Sequence, residues 1–230
     1  VDTEQSLAVL SDALHKSNWA ALDTEADSLH HYIEKLCLLQ ITAGGEDFVV
    51  DPLSAIDLRF VVNALGGKFL ILHGADFDIR ILKRFYEFRP TEIFDTMIAA
   101  QILGYEKQGL ADLAKMHCDV ALAKSSQKAD WSKRPLGEAL TAYAANDVHY
   151  LKDISDKMRD ELTRLGRLDW HKQSCEKLLK SLNAGKDPKA ENEYPWQVKG
   201  SKELNGKELA ILKEFWLWRE EEAKKRDKPS

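Results

Sequence analysis

The sequence predicts an α/β fold: a mixed five-stranded sheet flanked by helices, with a short helical segment at the C-terminal end. Two patterns predict it. Three short apolar stretches follow one another between Trp19 and Val50, the last two joined through Gly44-Gly45, a hairpin signal. From residue 56 onward helical and strand periodicities alternate, and the resulting order βββαβαβα places helices on the faces of one sheet. The composition agrees: 44% hydrophobic and 31% charged residues, with only 6 Pro and 12 Gly in 230, exclude collagen-like and low-complexity chains.

Each element has a local reason. Asp2-x-x-Gln5 resembles a helix start, and Leu7, Leu10 and Leu14 form a helical stripe to about His15. Trp19–Glu25, Leu36–Thr42 and Phe48–Val50 are the three strands of an antiparallel meander. Ile56–Leu65 is helical, Phe69–His73 a buried strand, Asp76–Tyr86 helical and Ile93-Phe94 a short strand. Thr96–Leu103 and Leu110–Met116 continue as helices, and one long helical stretch runs from Gly137 to about Arg164. Ala184–Pro195 is polar, contains two prolines and is expected to be a linker. Beyond it Lys207–Lys225 is a single helix, too short to bury a core of its own. The expected division is 1–170 for the main domain, 171–195 for a helix end and linker, and 196–230 for the appendage.

Several classes are excluded at once. No apolar run approaches a membrane span, and no basic-apolar signal stretch opens the chain. The first residue is Val1, which suggests a trimmed N-terminus. Cys37, Cys118 and Cys175 are odd in number and lack C-x-x-C spacing, which favours a reducing compartment and a cytoplasmic location. Cys37 sits in an apolar strand and is expected in the core. The net charge of −5 argues against a generic nucleic-acid binder. Its distribution is uneven: residues 1–120 carry 10 Lys and Arg against 19 Asp and Glu, and residues 121–230 carry 23 against 19. An acidic half beside a basic half suits a metal–carboxylate site next to a polyanion track.

The informative residues are acids at positions where a core belongs. In the first strand Trp19, Ala21, Asp23 and Glu25 share a face, so two carboxylates project together near its C-terminal end. Two such groups repel unless a cation lies between them or one is protonated. In His73-Gly74-Ala75-Asp76-Phe77-Asp78, helix geometry chooses between two acids. The positions three, four and seven after Asp78 are Ile81, Leu82 and Phe85; the same offsets from Asp76 give Ile79, Arg80 and Lys83. Asp78 therefore belongs to the buried face and needs a partner, and Asp76 to the wet one. In the third case Leu140, Tyr143, Asp147, Leu151, Ile154 and Met158 form one stripe, which Asp147 interrupts with Tyr143 one turn before it. Four carboxylates and a phenol, brought in by a strand and two helices, are hard oxygen ligands for Mg²⁺ or Mn²⁺. Two such ions about 4 Å apart clamp the attacking and leaving oxygens of a phosphodiester displacement. The 7 histidines include no pair spaced i, i+4 around a Glu, so a zinc hydrolase has little support.

These residues resemble the ribonuclease D branch of the DEDD 3′–5′ exonucleases, in the subclass with a tyrosine in its third motif. Leu22-Asp23-Thr24-Glu25 is similar to the first motif, His73-Gly74-Ala75-x-x-Asp78 to the second and Tyr143-x-x-x-Asp147 to the third. Phe94-Asp95-Thr96 and the stretch from Lys124-Ser125-x-Gln127 through Asp130-Trp131 to Arg134-Pro135-Leu136 look like the same branch, and the resemblance spans about residues 1–170. Trp196-x-Val198-Lys199-Gly200 and the helix with Trp218-Arg219-Glu220 resemble the opening of a helicase-and-RNase-D C-terminal (HRDC-like) domain, of which the chain carries only a part.

The resemblance implies a ribonuclease H-like fold and a metal-dependent 3′–5′ exoribonuclease that hydrolyses RNA from a free 3′ end to nucleoside 5′-monophosphates. Trimming of tRNA precursors is the substrate it suggests. Two divalent cations, Mg²⁺ or Mn²⁺, would be held by Asp23, Glu25, Asp78 and Asp147, with Asp23 bridging and Asp78 acting directly or through water. Tyr143 would orient the attacking water. Tyr32, His73, Lys124 and Arg134 would contact phosphate or the terminal nucleotide. His30 and His31 are expected as exposed loop histidines and Arg80 as a surface charge. The implied partners are RNA 3′ ends, with no membrane and no obligate protein partner. The alternatives are a non-catalytic RNA-binding relative and a 3′–5′ DNA exonuclease. The intact set of acids weighs against the first; the Lys124–Leu136 stretch and the C-terminal segment weigh against the second.

Overall fold

A computed structural model describes residues 1–123, 128–184 and 194–230. The chain opens with α1 (Glu4–Lys16), which is capped one residue later than the sequence suggested. Thr3, not Asp2, accepts from the Ser6 backbone N–H, and the Ser6 hydroxyl reaches back to the Thr3 N–H. Leu10, Ala13 and Leu14 are its buried stripe. Next come β1 (Trp19–Ala26), β2 (Leu36–Ala43) and β3 (Glu46–Val50). Gly44 and Gly45 both adopt positive φ (62° and 86°), which a two-residue hairpin of the right twist requires. Then follow α2 (Arg59–Gly66), β4 (Phe69–Leu72), α3 (Asp76–Tyr86), β5 (Glu92–Asp95), α4 (Thr96–Leu103) and α5 (Leu110–Cys118).

The sheet has the order β3-β2-β1-β4-β5. The β1–β2 and β2–β3 pairs are antiparallel, and β1–β4 and β4–β5 are parallel. Parallel neighbours need crossovers, which α2 and α3 supply. All eight residues of β2 are buried, so this strand carries core on both faces. On one face Leu39, Ile41 and Ala43 pack with α1, α2 and α3. On the other lie α6 (Glu138–His149) and α7 (Leu151–Arg164).

The expected single helix from Gly137 to Arg164 is two helices, separated at Tyr150, whose φ and ψ are −91° and −6°. The break divides the predicted stripe. Leu140 and Tyr143 pack with Cys37, Leu38 and Trp131, Leu151 with Ala21 and Ile71, and Ile154 and Met158 with Phe94 and Leu113. One straight helix could not follow the twist of the sheet across all three groups. After α7 comes α8 (Leu168–Asn183), an element missing from the sequence reading. Its Cys175, Leu179 and Leu182 join the main core, and His171 donates from Nε2 to the Asp95 carbonyl (3.1 Å). The helix thus crosses residue 170, where the main domain was expected to end.

Most of the expected linker falls outside the described residues. Beyond it a 3₁₀ turn (Ser201–Glu203) precedes α9 (Gly206–Arg226), which Asn205 caps in a box with Glu208. Among the described residues no helix is long and apolar enough to cross a membrane.

Candidate active site

The site begins at the C-terminal end of β1. Asp23 and Glu25 project from one face of that strand, toward α6, and both are half-buried. Helix α6 packs across β2, β3 and β1 and brings in Asp147. One carboxylate oxygen from each of Asp23, Glu25 and Asp147 lies within 4.8 Å of the others.

Asp78 comes from the first turn of α3. Its buried environment was legible from the helical offsets: Asp78 is 4% exposed, whereas Asp76 is exposed and paired with Arg80 at 2.7 and 2.8 Å. The Thr24 hydroxyl donates to Asp78 at 2.6 Å, which ties α3 to β1 between the two acids of that strand. Thr24 was quoted only as part of a motif, and its role as this tie could not be read without the fold.

A second tie fixes the loop before α3. Asp95, 1% exposed, accepts from the Gly74 and Ala75 N–H groups at 3.0 and 2.8 Å. It also caps α4 by accepting from Met97 and Ile98. Gly74 has φ of 75°, and a Cβ there would stand 3.2 Å from the Met97 side chain, so the loop needs glycine. The N-cap position of Asp95, directly before an apolar helix, is the sequence signal that could have identified it.

Electrostatics explains why this constellation is unusual. Burial pushes the Asp23 carboxyl well above the usual carboxylate range, and Asp78, Asp147 and Glu25 push it further. Burial, then Asp147 and Asp78, raise Glu25 to about 8. Burial raises Asp78 to about 7 against the opposing hydrogen bond from Thr24, and Asp147 to about 6 against the opposing bond from Tyr143. Among the described residues none of the four forms an ion pair with Lys, Arg or His. Such acids stay together when a cation lies between them or when some of them hold a proton. The donors are all hard oxygens, so the residues fit Mg²⁺ or Mn²⁺. Tyr143 lies one turn before Asp147 and donates its hydroxyl to that carboxylate. Burial and the three neighbouring carboxylates Asp147, Glu25 and Asp23 push its phenol far above the ordinary value.

The expected substrate contacts fare differently. The Tyr32 hydroxyl donates to Glu220 of α9 (3.2 Å), and its backbone N–H to Asp227 (3.1 Å). Arg134, expected to meet a phosphate, has all five N–H donors turned inward. Nε and Nη2 grip Asp51 at 2.6 Å each, Nη1 reaches the Trp131 and Lys133 carbonyls, and Nη2 also reaches Cys37 O. It is a clasp between β2, the segment after β3 and the Trp131 loop, and it has no donor left for substrate. The His73 Nδ1 lies 2.9 Å from the Thr96 hydroxyl, which itself donates to Leu72 O at 3.1 Å. That hydroxyl has one proton, so His73 donates from Nδ1 and its Nε2 is an acceptor, better suited to a hydroxyl than to phosphate. Lys124 lies outside the described residues. His30 and His31 are half-buried rather than exposed. His30 bonds the Lys128 carbonyl, and His31 joins Asp227 and Ser132. Cys37 is buried, as expected.

A family model described as 3′–5′ exonuclease matches residues 1–163. The chain is 32% identical to the exosome complex component 10 homolog of Caenorhabditis elegans, over 99% of this chain and 26% of that protein. It is 30% identical to ribonuclease D of Gluconacetobacter diazotrophicus, over 100% of this chain and 58% of that protein. The chain therefore spans about a quarter of the first relative and somewhat over half of the second. The crystal structure of Escherichia coli RNase D superposes with a TM-score of 0.79 at 28% identity, covering 99% of this chain and 61% of that one. The mixed five-stranded sheet with its flanking helices is thus the ribonuclease H-like exonuclease fold. The chain belongs to the ribonuclease D/RRP6 family of 3′–5′ exonucleases.

Proposed function

We propose that the protein is a metal-dependent 3′–5′ exoribonuclease that removes nucleoside 5′-monophosphates one at a time from a free RNA 3′ end. The observation that carries this reading is the convergence of half-buried Asp23, Glu25 and Asp147 with buried Asp78, none of them in an ion pair with Lys, Arg or His among the described residues, beside the hydroxyl of Tyr143. Asp23, Glu25 and Asp147 would hold one divalent ion; Asp23 with Asp78 would hold a second. When bound, such ions neutralise charge on the scissile phosphate and lower the pKa of water by several units.

The side chains supply the rest. Thr24 and Asp95 fix the approach of α3, so Asp78 meets Asp23 at a set distance. Tyr143 stays protonated at neutral pH and donates a hydrogen bond, so it orients the attacking water and does not take its proton. The acceptor Nε2 of His73 suits a hydroxyl of the terminal ribose. Escherichia coli RNase D is an exoribonuclease involved in structured RNA processing, which supports RNA as the substrate class. Precursors of tRNA are the substrate we favour.

Matched RNA and DNA oligonucleotides with a 3′-hydroxyl or a 3′-phosphate, incubated with Mn²⁺, test the proposal. RNA ending in a hydroxyl should yield mononucleotides, and the 3′-phosphate should block release. Faster loss of the DNA would assign the protein to DNA, and indifference to the 3′ group would remove the terminal site.

A further inference from the structure

Gln40 sits in the middle of β2 with 0% exposure, and neither its amide nitrogen nor its carbonyl oxygen has a hydrogen-bond partner among the described residues. A primary amide buried with both ends unmatched is destabilising, and Leu or Met would fill the same space without that cost. Its surroundings give the polar group a use. In the antiparallel ladder Gln40 stands directly opposite Asp23, so the two side chains leave the sheet on the same face, with Cβ atoms about 5 Å apart. On its other side is Val49 of β3, and α6, which carries Tyr143 and Asp147, packs over this face. Thr42, two residues on and on the same face, already donates to Asp47. Asp23 has the carboxylate nearest along the sheet.

We propose that Gln40 is a positioning residue of the acid cluster: opposite Asp23 and without a partner of its own among the described residues, its amide would turn to donate an N–H to the Asp23 carboxylate when the cluster holds divalent ions, fixing the orientation in which Asp23 serves them. A donor on the neighbouring strand would leave the other lone pairs of the Asp23 carboxylate for the ions. Partners of this kind behind a metal ligand typically change metal affinity or activity by about 10–100-fold. The inference rests on the acid cluster holding divalent ions.

The test compares Mn²⁺ affinity by calorimetry, kcat on RNA, and melting temperature in EDTA for the wild type, Gln40→Met, Gln40→Leu and Val49→Ala. Positioning predicts opposite signs in two readouts. Gln40→Met should bind Mn²⁺ about 10-fold more weakly, with a matching loss in kcat, while its ion-free melting temperature is equal to or above that of the wild type. Gln40→Leu should behave alike, which guards against a fault of one side chain. Val49→Ala disturbs packing next to Gln40 without touching a polar group and should leave Mn²⁺ affinity unchanged. Wild-type affinity in both Gln40 variants, or an equal loss in Val49→Ala, would overturn the assignment while leaving the site intact. A wild type that binds no Mn²⁺ would overturn the reading of the site itself, and this inference with it.

Discussion

Asp76 and Asp78 stand two residues apart on α3 and end in opposite surroundings. Asp76 is paired with Arg80 in solvent, whereas Asp78 is buried against Thr24 and repelled by its fellow acids. Asp78→Asn should therefore cut turnover by about 10³ or more, and Asp76→Asn should be close to silent. A single-turnover assay on labelled RNA separates the two, and the reverse ranking would show the second motif misplaced. Tyr143 and Asp147 form a second contrast. Tyr143→Phe keeps the ring against Trp131 (centroids 6.0 Å apart) and removes only the hydroxyl. We predict a fall in kcat of roughly 10–10³ with Mn²⁺ affinity nearly unchanged. Asp147→Asn should weaken Mn²⁺ binding itself. Equal loss of metal in both would make the phenol part of the ion site.

At the scale of elements, the Arg134 clasp joins β2, Asp51 and the loop whose Trp131 packs on α6. Removing it leaves Asp51 half-buried without its partner and frees three carbonyls. Arg134→Ala should lower stability by about 2–3 kcal/mol in urea unfolding, with KM for RNA unchanged. Arg134→Lys should rescue little, because an ammonium cannot reproduce the five-donor fork. A rise in KM without loss of stability would restore the phosphate role first expected. The clasp was not legible beforehand for a physical reason: a sequence shows that an Arg is near a motif, but not how many of its donors the fold consumes. The Tyr32 hydroxyl likewise has a partner that no local pattern announces, Glu220, 188 residues away. Periodicity, by contrast, exposed Asp23 with Glu25 on a strand face and Asp78 on a buried helix face, because both are local properties of one element. The break at Tyr150 has no Gly or Pro to announce it; it follows from the path of the sheet beneath. Helix α8 has Leu168, His171, Cys175, Leu179 and Leu182 at helical spacing after Gly166, a stripe masked in the sequence by the polar residues between them.

For the whole molecule, the acid cluster makes stability depend on pH and metal together. Asp78, Glu25 and Asp23 hold protons in the folded state at pH values where the unfolded chain, with carboxyls near 4, has released them. The folded state then binds more protons, so stability falls as pH rises toward and through the folded values of about 7 and 8. His73, His117 and His171 are held below their usual value, mainly by burial, and act in the opposite sense only below about 6.5. Between pH 6.5 and 8.5 the acids therefore dominate. In EDTA the melting temperature should fall across that interval, and Glu25→Gln should reduce the fall. Mn²⁺ at 100 times its Kd should add about 2.7 kcal/mol at the upper end and much less at pH 5, where protons compete. A scanning calorimetry series with no pH slope in EDTA would show that the acids do not share a buried site.

The proposed site depends on metal and works from an RNA 3′ end. It is tested most directly by one assay, in which a linear and a circular RNA of the same sequence are incubated with wild-type protein and Asp23→Asn in Mn²⁺ and in EDTA. Mononucleotides should form from the linear RNA only, with wild-type protein only and with Mn²⁺ only. Cutting of the circle at a comparable rate, or linear RNA degraded as fast by Asp23→Asn or in EDTA, would contradict it.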